Sequence, residues 1–191
     1  MALILASKSP RRRELLQKAG IEFAVQTAEV NESCQKGEPA ANYVERLARD
    51  KALAVAQSTA SGDIVLGADT AVVVAGQILG KPKDAADAAR MLRLLSGGTH
   101  YVVTGFCIVR APGEVVALRH ASSTVVFKPL TAGDIQSYVA TGEPLDKAGA
   151  YAIQGFASKF VERVEGGLEN VIGLPLAEVT ELLRSLEGEN R

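Results

Sequence analysis

The amino-acid sequence predicts an α/β fold built on a mixed, twisted β-sheet with flanking helices. Short apolar runs, such as residues 2–6, alternate with amphipathic stretches of helical period. A long β-rich segment covers residues 101–128. Polar, Gly-rich loops follow several strand-like runs, and ligands of open α/β sheets usually bind at such strand ends.

The N-terminal half is predicted to begin with a buried strand at residues 2–6 and a helix from Pro10 to Ala19. Ser9 is the expected N-cap, proline suits the first helical position, and Gly20 ends the helix. After these elements we expect a strand at 21–27, a polar loop at 31–38, a helix at 39–58, and two strands within 63–75, parted by Gly67-Ala68-Asp69-Thr70 and followed by a turn at Gly76-Gln77.

The C-terminal half is predicted to combine helices with a β-meander. In order, we expect a helix at 84–95, three antiparallel strands within 101–128 with a turn at Pro112-Gly113, a helix at 131–140, a Gly- and Ala-rich loop with one short strand at 142–158, strand-like pieces at 160–172, and a helix at 175–186. The sequence has no internal repeat and no long linker, so we expect a single domain over residues 1–191.

Charge and composition exclude several classes of protein. The net charge is −1, from 21 basic and 22 acidic residues, which argues against nucleic acid or an anionic membrane as the main partner. No segment is long and apolar enough to span a membrane, and the N-terminus lacks a signal-peptide pattern. Two cysteines and two histidines are too few for a disulfide framework or a His-centred metal site. We therefore expect a cytoplasmic protein.

Three consecutive arginines, Arg11 to Arg13, occupy the first turn of the predicted first helix. Cations are unfavourable there because the helix dipole is positive at its N-terminus. An anion that normally occupies this end would explain them, since backbone N–H groups, the hydroxyls of Ser7 and Ser9 and the guanidinium groups could all bind one polyphosphate. A solvated basic patch or a nucleic-acid contact are the alternatives.

Asp69 and Lys51 both interrupt apolar patterns. Asp69 and Thr70 divide an apolar stretch, which predicts a carboxylate near a strand end that acts as metal ligand or general base, or else a turn Asp that caps its own backbone. Lys51 lies within an apolar helical stripe, where a lysine either extends to solvent or reaches into a cleft. The other members of that stripe are Val44, Leu47, Ala48, Ala52 and Val55.

Three further polar residues are candidates only in combination. Lys81, in the stiff turn Gly80-Lys81-Pro82-Lys83, could bind phosphate or be an ordinary surface lysine. Gln154 ends a passage of small residues and could recognise a base edge; the alternative is a structural loop in which Asp146 and Lys147 pair. Glu32 lies in a polar loop and alone predicts nothing. The sequence has no P-loop and no Rossmann glycine pattern.

Taken together, six passages resemble the Maf family of nucleoside triphosphate pyrophosphatases, also called septum formation inhibitors, over essentially the whole chain. They are Leu5-Ala6-Ser7-Lys8-Ser9-Pro10-Arg11-Arg12, Leu47-Ala48-Arg49-Asp50-Lys51-Ala52, Gly67-Ala68-Asp69-Thr70, Gly80-Lys81-Pro82, the Gly142 to Gly155 passage, and Asn170-Val171-Ile172-Gly173-Leu174-Pro175-Leu176. Each passage is modest alone, and the six in order make a strong signal.

The resemblance implies a Maf/ITPase-like fold with two intimate lobes around a nucleotide-binding cleft, and a homodimer. It implies cleavage of a nucleoside triphosphate between the α and β phosphates, with a divalent cation, Mg²⁺ or Mn²⁺, as cofactor. The passage from Asp146 to Gly155 is similar to the branch that prefers dTTP and UTP, so we expect a house-cleaning enzyme acting on these and on modified pyrimidine nucleotides.

By position, the resemblance assigns roles to individual residues. Asp69 matches the proton acceptor, and Glu32 together with Asp69 matches the acidic residues near the metal. Residues that match the polyphosphate-binding positions are Ser7, Arg11, Arg12, Lys51 and Lys81. Residues that match positions tied to substrate choice are Arg12, Thr70 and Gln154.

Two other functions remain open from the sequence. One is the same cleavage on 7-methyl-GTP, and the other is a non-catalytic nucleotide- or DNA-binding regulator of septum formation. Asp69 and Glu32 argue against a pure binder, which needs the cations but not metal-binding acids. The near-neutral charge argues against DNA, because that mode needs many phosphate contacts.

Overall fold

The computed structural model describes residues 1–188 and shows helices flanking a seven-stranded sheet. The strands are β1 (Leu3–Ala6), β2 (Ala24–Val25), β3 (Ile64–Val74), β4 (Gln77–Leu79), β5 (Thr99–Arg110), β6 (Glu114–Phe127) and β7 (Val161–Glu165). The α-helices are α1 (Pro10–Lys18), α2 (Ala40–Ala56), α3 (Ala85–Leu95), α4 (Ala132–Ala140), α5 (Leu168–Ile172) and α6 (Leu176–Gly188). Short 3₁₀ helices occur at Glu143–Asp146, Ala148–Ala150 and Phe156–Phe160.

The sheet is mixed, which confirms the predicted α/β class. Its strand order is β2-β1-β3-β5-β6-β7, and β4 pairs with β3 away from this path. Strand β1 runs parallel to β2 and β3, whereas the pairs β3–β4 and β6–β7 are antiparallel. The register places Ala6 opposite Gly67, so the residue after β1 lies beside the middle of β3.

The chain divides into two compact units, each with its own core. The first unit comprises residues 1–69, 104–121 and the described residues from 173 onward, and the second comprises 70–103 and 122–172. In the first, small residues of α2 pack on β1 and β3, as the burial of Ala48, Ala52 and Val65 shows. In the second, Leu92, Phe127 and other residues of α3, β6 and α4 form a core that includes aromatic rings.

Two predicted helix starts are stabilised by side-chain hydrogen bonds, and a third is not. The Asp84 carboxylate accepts from the backbone N–H of Asp87 at the start of α3. Thr131 and Asp134 form a reciprocal capping box at the start of α4. Ser9 occupies the N-cap of α1, but its side chain makes no capping bond.

The predicted break at Gly67-Ala68-Asp69-Thr70 is wrong. Residues 64–74 form one continuous strand, so Asp69 lies in the middle of β3 rather than near a strand end. Glycine is needed at position 67 for packing and not for a turn. A Cβ at Gly67 would collide with the carbonyl oxygen of Ala48 and lie 2.9 Å from the Cβ of Ala52. Gly67 therefore allows α2 to approach β3 closely.

Four other predictions of strands need correction. Residues 101–128 hold two long strands, β5 and β6, instead of three, with the turn between them at 111–113. The strand expected at 21–27 is reduced to two residues at the sheet edge. Within the described chain, residues 142–158 contain 3₁₀ turns and no strand, and the pieces at 160–172 are β7 followed by the helix α5. Strand length depends on pairing with distant residues, which local composition does not encode.

No helix in residues 1–188 is long and apolar enough to cross a membrane. The single domain over residues 1–191, the cytoplasmic location and the homodimer stay predictions. The last three residues lie outside the described part of the chain.

Candidate functional site

Ser7 follows β1 and is buried at the entry to α1. Its hydroxyl oxygen accepts a hydrogen bond from the backbone N–H of Ser9 at 3.2 Å and another from Nη1 of Arg12 at 3.0 Å. The β1–β3 register places it beside the strand that carries Asp69. Ser7 is therefore bonded to the first turn of α1 and lies beside β3, within the first unit.

The three arginines have different environments despite their identical chemistry. Arg12 is only 8% exposed, and its Nε donates to the backbone oxygen of Gly173 at 2.7 Å. Arg13 donates through Nη2 to the backbone oxygen of Lys8 at 3.1 Å. Within residues 1–188, the half-buried Arg11 guanidinium has no hydrogen-bond or ion-pair partner. Arg12 is thus fixed by the protein, whereas Arg11 remains available to an external anion.

Burial lowers the pKa of the Arg12 guanidinium, and the charge of Asp69 partly offsets this effect. Arg12 therefore lies within the electrostatic reach of the Asp69 carboxylate. Such a buried, oriented fork is suited to binding phosphate oxygens as they gain charge.

Lys51 joins the two predicted acidic residues. Its Nζ lies 2.7 Å from Oδ1 of Asp69 and 2.7 Å from Oε1 of Glu32. The Lys51 and Asp69 side chains are 15% and 14% exposed, and the Glu32 side chain is 52% exposed. Of the two alternatives for Lys51, the structure shows the inward one: it contacts Asp69 instead of extending to solvent.

The position of Lys51 depends on the packing of α2 against β3. Because Gly67 lacks a side chain, the turn of α2 at Ala48 and Ala52 lies directly on the strand. Lys51 precedes Ala52 on that helix, and Asp69 follows Gly67 by two residues on the strand. The same close approach therefore brings the ammonium to the carboxylate.

Tyr43 and Arg46 are two residues of α2 that the sequence analysis missed. The Tyr43 hydroxyl donates to the backbone oxygen of Glu32 at 3.1 Å, and Arg46 Nη2 donates to the backbone oxygen of Ser33 at 3.1 Å. Burial, with added contributions from Asp69 and Glu32, raises the pKa of Tyr43 to about 12. The signal that could have found these residues is a Tyr and an Arg three positions apart on the helix that carries Lys51.

The donor set at Glu32 and Asp69 is compatible with a hard divalent cation. Mg²⁺ commonly binds through one or two carboxylates together with waters and substrate phosphates. Among the side chains that the structure describes, no group of three or more His, Cys, Asp or Glu could hold a metal by itself. These carboxylates thus suit a cation that is shared with a bound polyphosphate, and the metal itself stays a prediction.

In the second unit, Lys81 and Gln154 lie on loops and Thr70 lies on β3. Lys81 and Gln154 are exposed, and Thr70 is half-buried at the start of this unit's part of β3. The backbone N–H of Gly149 donates to the oxygen of Gly80 at 3.0 Å, which ties the Gln154 loop to the turn that carries Lys81. Gly149 has a φ of 68°, and a Cβ there would lie 2.9 Å from Val72, so only glycine suits this contact.

The Gln154 loop is also anchored by a buried polar pair. His100 Nε2 and the Tyr151 hydroxyl lie 2.7 Å apart, with the Phe127 ring edge-on to both rings. Burial lowers the pKa of His100 to about 4. The Lys147 ammonium lies 2.6 Å from the Asp146 carboxylate, so these two residues pair as the structural interpretation of the loop predicts. His100 is a third residue that sequence reasoning missed.

The structure therefore brings Ser7, Arg12, Lys51, Asp69 and Glu32 into contact or electrostatic range within the first unit. It does not test their roles, nor those of Arg11, Thr70, Lys81 and Gln154, and all of these assignments stay predictions.

Comparison with known proteins gives one family. The family model described as Maf-like protein matches residues 2–186. A dTTP/UTP pyrophosphatase of Anaeromyxobacter sp. (strain Fw109-5) is 57% identical over 185 residues, covering 95% of this chain and 88% of the relative. A dTTP/UTP pyrophosphatase of Geobacter sulfurreducens is 52% identical over 184 residues, covering 96% of each chain.

Among solved structures, a HAM1 protein from Coxiella burnetii is similar with a TM-score of 0.55 and 16% identity, covering 97% of this chain and 99% of that one. At this identity the similarity concerns the fold alone, and it confirms the predicted architecture.

Proposed function

This chain belongs to the Maf-like protein family, and we propose that it hydrolyses dTTP and UTP to the nucleoside monophosphate and pyrophosphate. The observation that carries the proposal is the Lys51 ammonium 2.7 Å from both Asp69 and Glu32, with Arg12 in electrostatic range. Water attack on a phosphoanhydride is assisted by an acid residue that takes the proton of the water and by cations that neutralise the departing phosphates, and this cluster holds both kinds of group.

In the proposed reaction, a water molecule attacks the α-phosphorus and the bond to the bridging oxygen of the pyrophosphate breaks. Among residues 1–188, the one hydrogen bond that the Asp69 carboxylate receives comes from Lys51, on Oδ1. Oδ2 is therefore the oxygen that orients the water and takes its proton. A divalent cation held by Asp69 and Glu32 supplies charge neutralisation and activates bound water when present.

The cationic residues stabilise the charge that develops on the departing pyrophosphate. Arg12 is held in place by Ser7 and Gly173, so its orientation is fixed before the substrate binds. Arg11 has no partner among residues 1–188 and is available to a further phosphate oxygen, and the resemblance gives the exposed Lys81 the same role. In the second unit, Gln154 and Thr70 take part in selecting the pyrimidine, since an amide can both donate to and accept from a base edge.

The experiment is a substrate panel in water labelled with ¹⁸O. Purified protein is incubated with each common NTP and dNTP and with 7-methyl-GTP, in Mg²⁺ or Mn²⁺. The products are separated, and the mass of each is measured by mass spectrometry. We expect monophosphate and pyrophosphate from dTTP and UTP, with the label in the monophosphate. Protein carrying Asp69→Asn, purified in parallel, controls for contaminating phosphatases.

Other outcomes would change the proposal in defined ways. Turnover of 7-methyl-GTP alone would keep the reaction and overturn the role of Gln154. Label in the pyrophosphate would move the attack to the β-phosphorus. A folded protein that turns over no nucleotide with either metal would favour the non-catalytic regulator.

A further inference from the structure

The loop that carries Glu32 is held to α2 by a small network of side chains. Residues 31–37 are exposed and contain no helix or strand, yet the Glu32 carboxylate lies on Lys51 at 2.7 Å. An unanchored loop of this kind would lose conformational freedom on binding a ligand, and this loss of entropy would weaken binding. Contacts that order the loop before a ligand binds therefore strengthen ligand binding by Glu32.

Arg46 makes the strongest of these contacts. Its Nε donates to Oε1 of Glu38 at 2.7 Å and its Nη2 to Oε2 of Glu38 at 2.7 Å, a forked pair at the end of the loop. The two side chains are 19% and 8% exposed, so solvent screens the pair weakly. Nη2 also donates to the backbone oxygen of Ser33. One guanidinium thus holds the loop at both ends of residues 33–38.

Two further bonds complete the network. The backbone N–H of Gln35 donates to Oε2 of Glu38 at 3.0 Å, which closes the loop on itself. The Tyr43 hydroxyl donates to the backbone oxygen of Glu32, the residue whose carboxylate reaches Lys51. The hydrogen bonds from Arg46 lower the pKa of Glu38 to about 2, so this carboxylate stays ionised over the whole neutral range.

The anchors and Lys51 share one rigid element. Tyr43, Arg46 and Lys51 all lie on α2, which packs on β3 through Ala48 and Ala52. A single helix therefore sets the ammonium between the carboxylates and also sets the backbone of the loop that supplies one of them. The distance between Glu32 and Asp69 then depends on α2 and on its packing against β3.

We propose that Arg46 is a positioning residue, which with Tyr43 holds the loop at residues 31–38 so that Glu32 faces Asp69 for joint binding of a divalent cation and a nucleoside triphosphate. The cation part of this proposal rests on the proposed function, whereas the ordering of the loop does not. Arg46 contacts neither the attacking water nor the α-phosphorus of the substrate, and it acts only through Glu32.

The first test measures the order of the loop without any reaction. Lys36 is an exposed residue of the loop, so trypsin cleavage after it reports local opening. We expect Arg46→Met to speed this cleavage by about 10-fold and Arg46→Lys by less, because lysine keeps the charge but not the fork. The control is Arg49→Met, which removes an exposed arginine of the same helix whose nearest acid oxygen is 3.6 Å away.

Tyr43→Phe is the second variant, since it removes one hydroxyl and preserves the packing. We expect it to speed cleavage after Lys36 in the same direction by a smaller factor. Equal cleavage rates in the native protein, Arg46→Met and Tyr43→Phe would overturn the proposal. Arg46→Met could speed cleavage simply by destabilising the whole protein. Faster cleavage in Tyr43→Phe as well, with an unchanged melting temperature, excludes that explanation.

The second test is a double-mutant cycle with Glu32→Gln. Mn²⁺ binding is measured by electron paramagnetic resonance in the presence of the α,β-imido analogue of dTTP, which cannot be cleaved at that bond. We expect Arg46→Met to weaken Mn²⁺ binding by about 10-fold in the native background and not at all in the Glu32→Gln background. A further loss of similar size in the Glu32→Gln background would show that Arg46 does not act through Glu32.

The two tests separate this proposal from the proposed function. If the native protein binds no Mn²⁺ with the analogue, the nucleotide function fails while the trypsin result still decides whether Arg46 orders the loop. If Mn²⁺ binds and Arg46→Met leaves both readouts unchanged, the positioning role fails while the enzyme stands.

Discussion

In the first unit most candidate side chains are bonded to other groups of the protein, whereas the second unit presents Lys81 and Gln154 to solvent. In the first unit, Lys51 contacts two carboxylates and Arg12 is bonded to Ser7 and Gly173. In the second unit, the loop that carries Gln154 is anchored by the buried pair His100–Tyr151 and by the aromatic core around this pair.

This difference between bonded and exposed side chains suits the two units to different steps, turnover in the first and base selection in the second. Groups that stabilise charge in a transition state must be fixed before the reaction, because reorganising them would consume the stabilisation they provide. Groups that select a base need only a defined position, so an exposed side chain on a well-anchored loop suffices. We therefore expect changes in the first unit to affect turnover, and changes in the second unit to affect selectivity or stability.

The largest expected effect comes from Asp69→Asn. The amide keeps the shape but cannot accept the proton of water, so kcat for dTTP should fall by about 10³-fold. Nucleotide binding should persist, since the cationic residues remain. The measurements are steady-state kinetics and calorimetric titration with the α,β-imido analogue of dTTP. The matched control is Asp50→Asn on the surface of α2, and an active, folded Asp69→Asn protein would contradict the mechanism.

The next effect compares Arg12 with its neighbour Arg11. Arg12→Lys loses the fork that bonds Ser7 and Gly173, so kcat/KM for dTTP should fall by about 100-fold, typical of a lost buried charged bond. Arg11→Lys keeps a charge at a position with no protein partner in residues 1–188, and should lose about 10-fold or less. Equal losses would mean that the fixed orientation of Arg12 does not matter.

The third effect tests the interior of the second unit through pH. Burial lowers the pKa of His100 from 6.5 to about 4, so its stabilising contribution is complete above pH 6.5 and is lost as the pH falls toward 4. Between pH 7.5 and pH 5 the free energy of unfolding should fall by about 2 kcal/mol. Urea unfolding measures this change.

Two variants assign this pH dependence. His120→Asn removes the other histidine of the chain, which is partly exposed, and should leave the loss intact. His100→Phe should abolish most of it. If both variants keep the full pH dependence, His100 is not its source.

The smallest expected effect concerns base choice. Gln154→Ala should lower the ratio of kcat/KM for dTTP over dATP by about 10-fold, with kcat for dTTP changing less. Gln136→Ala, at an exposed position of α4, is the matched control. A uniform loss on both nucleotides would move Gln154 from base selection to general substrate binding.

Much of the fold could be predicted from local sequence signals. The helices at Pro10, Asp84 and Thr131 begin where proline and capping residues predict, because caps act over three or four residues. The extent of β3, β5 and β6 could not be predicted in this way. Gly67 and Asp69 look like a turn in the sequence, and only the contact with α2 explains them within a strand.

The sequence by itself determined the class of fold, the family and the chemical inventory of acids and cations. The tertiary structure decided which of them meet: that Lys51 reaches inward, that Arg12 is fixed while Arg11 is not, and that Tyr43 and Arg46 hold the Glu32 loop. The physical reason is distance along the chain. Lys51 and Asp69 are 18 residues apart, and their 2.7 Å contact depends on how closely a helix packs on a strand, which no local pattern encodes.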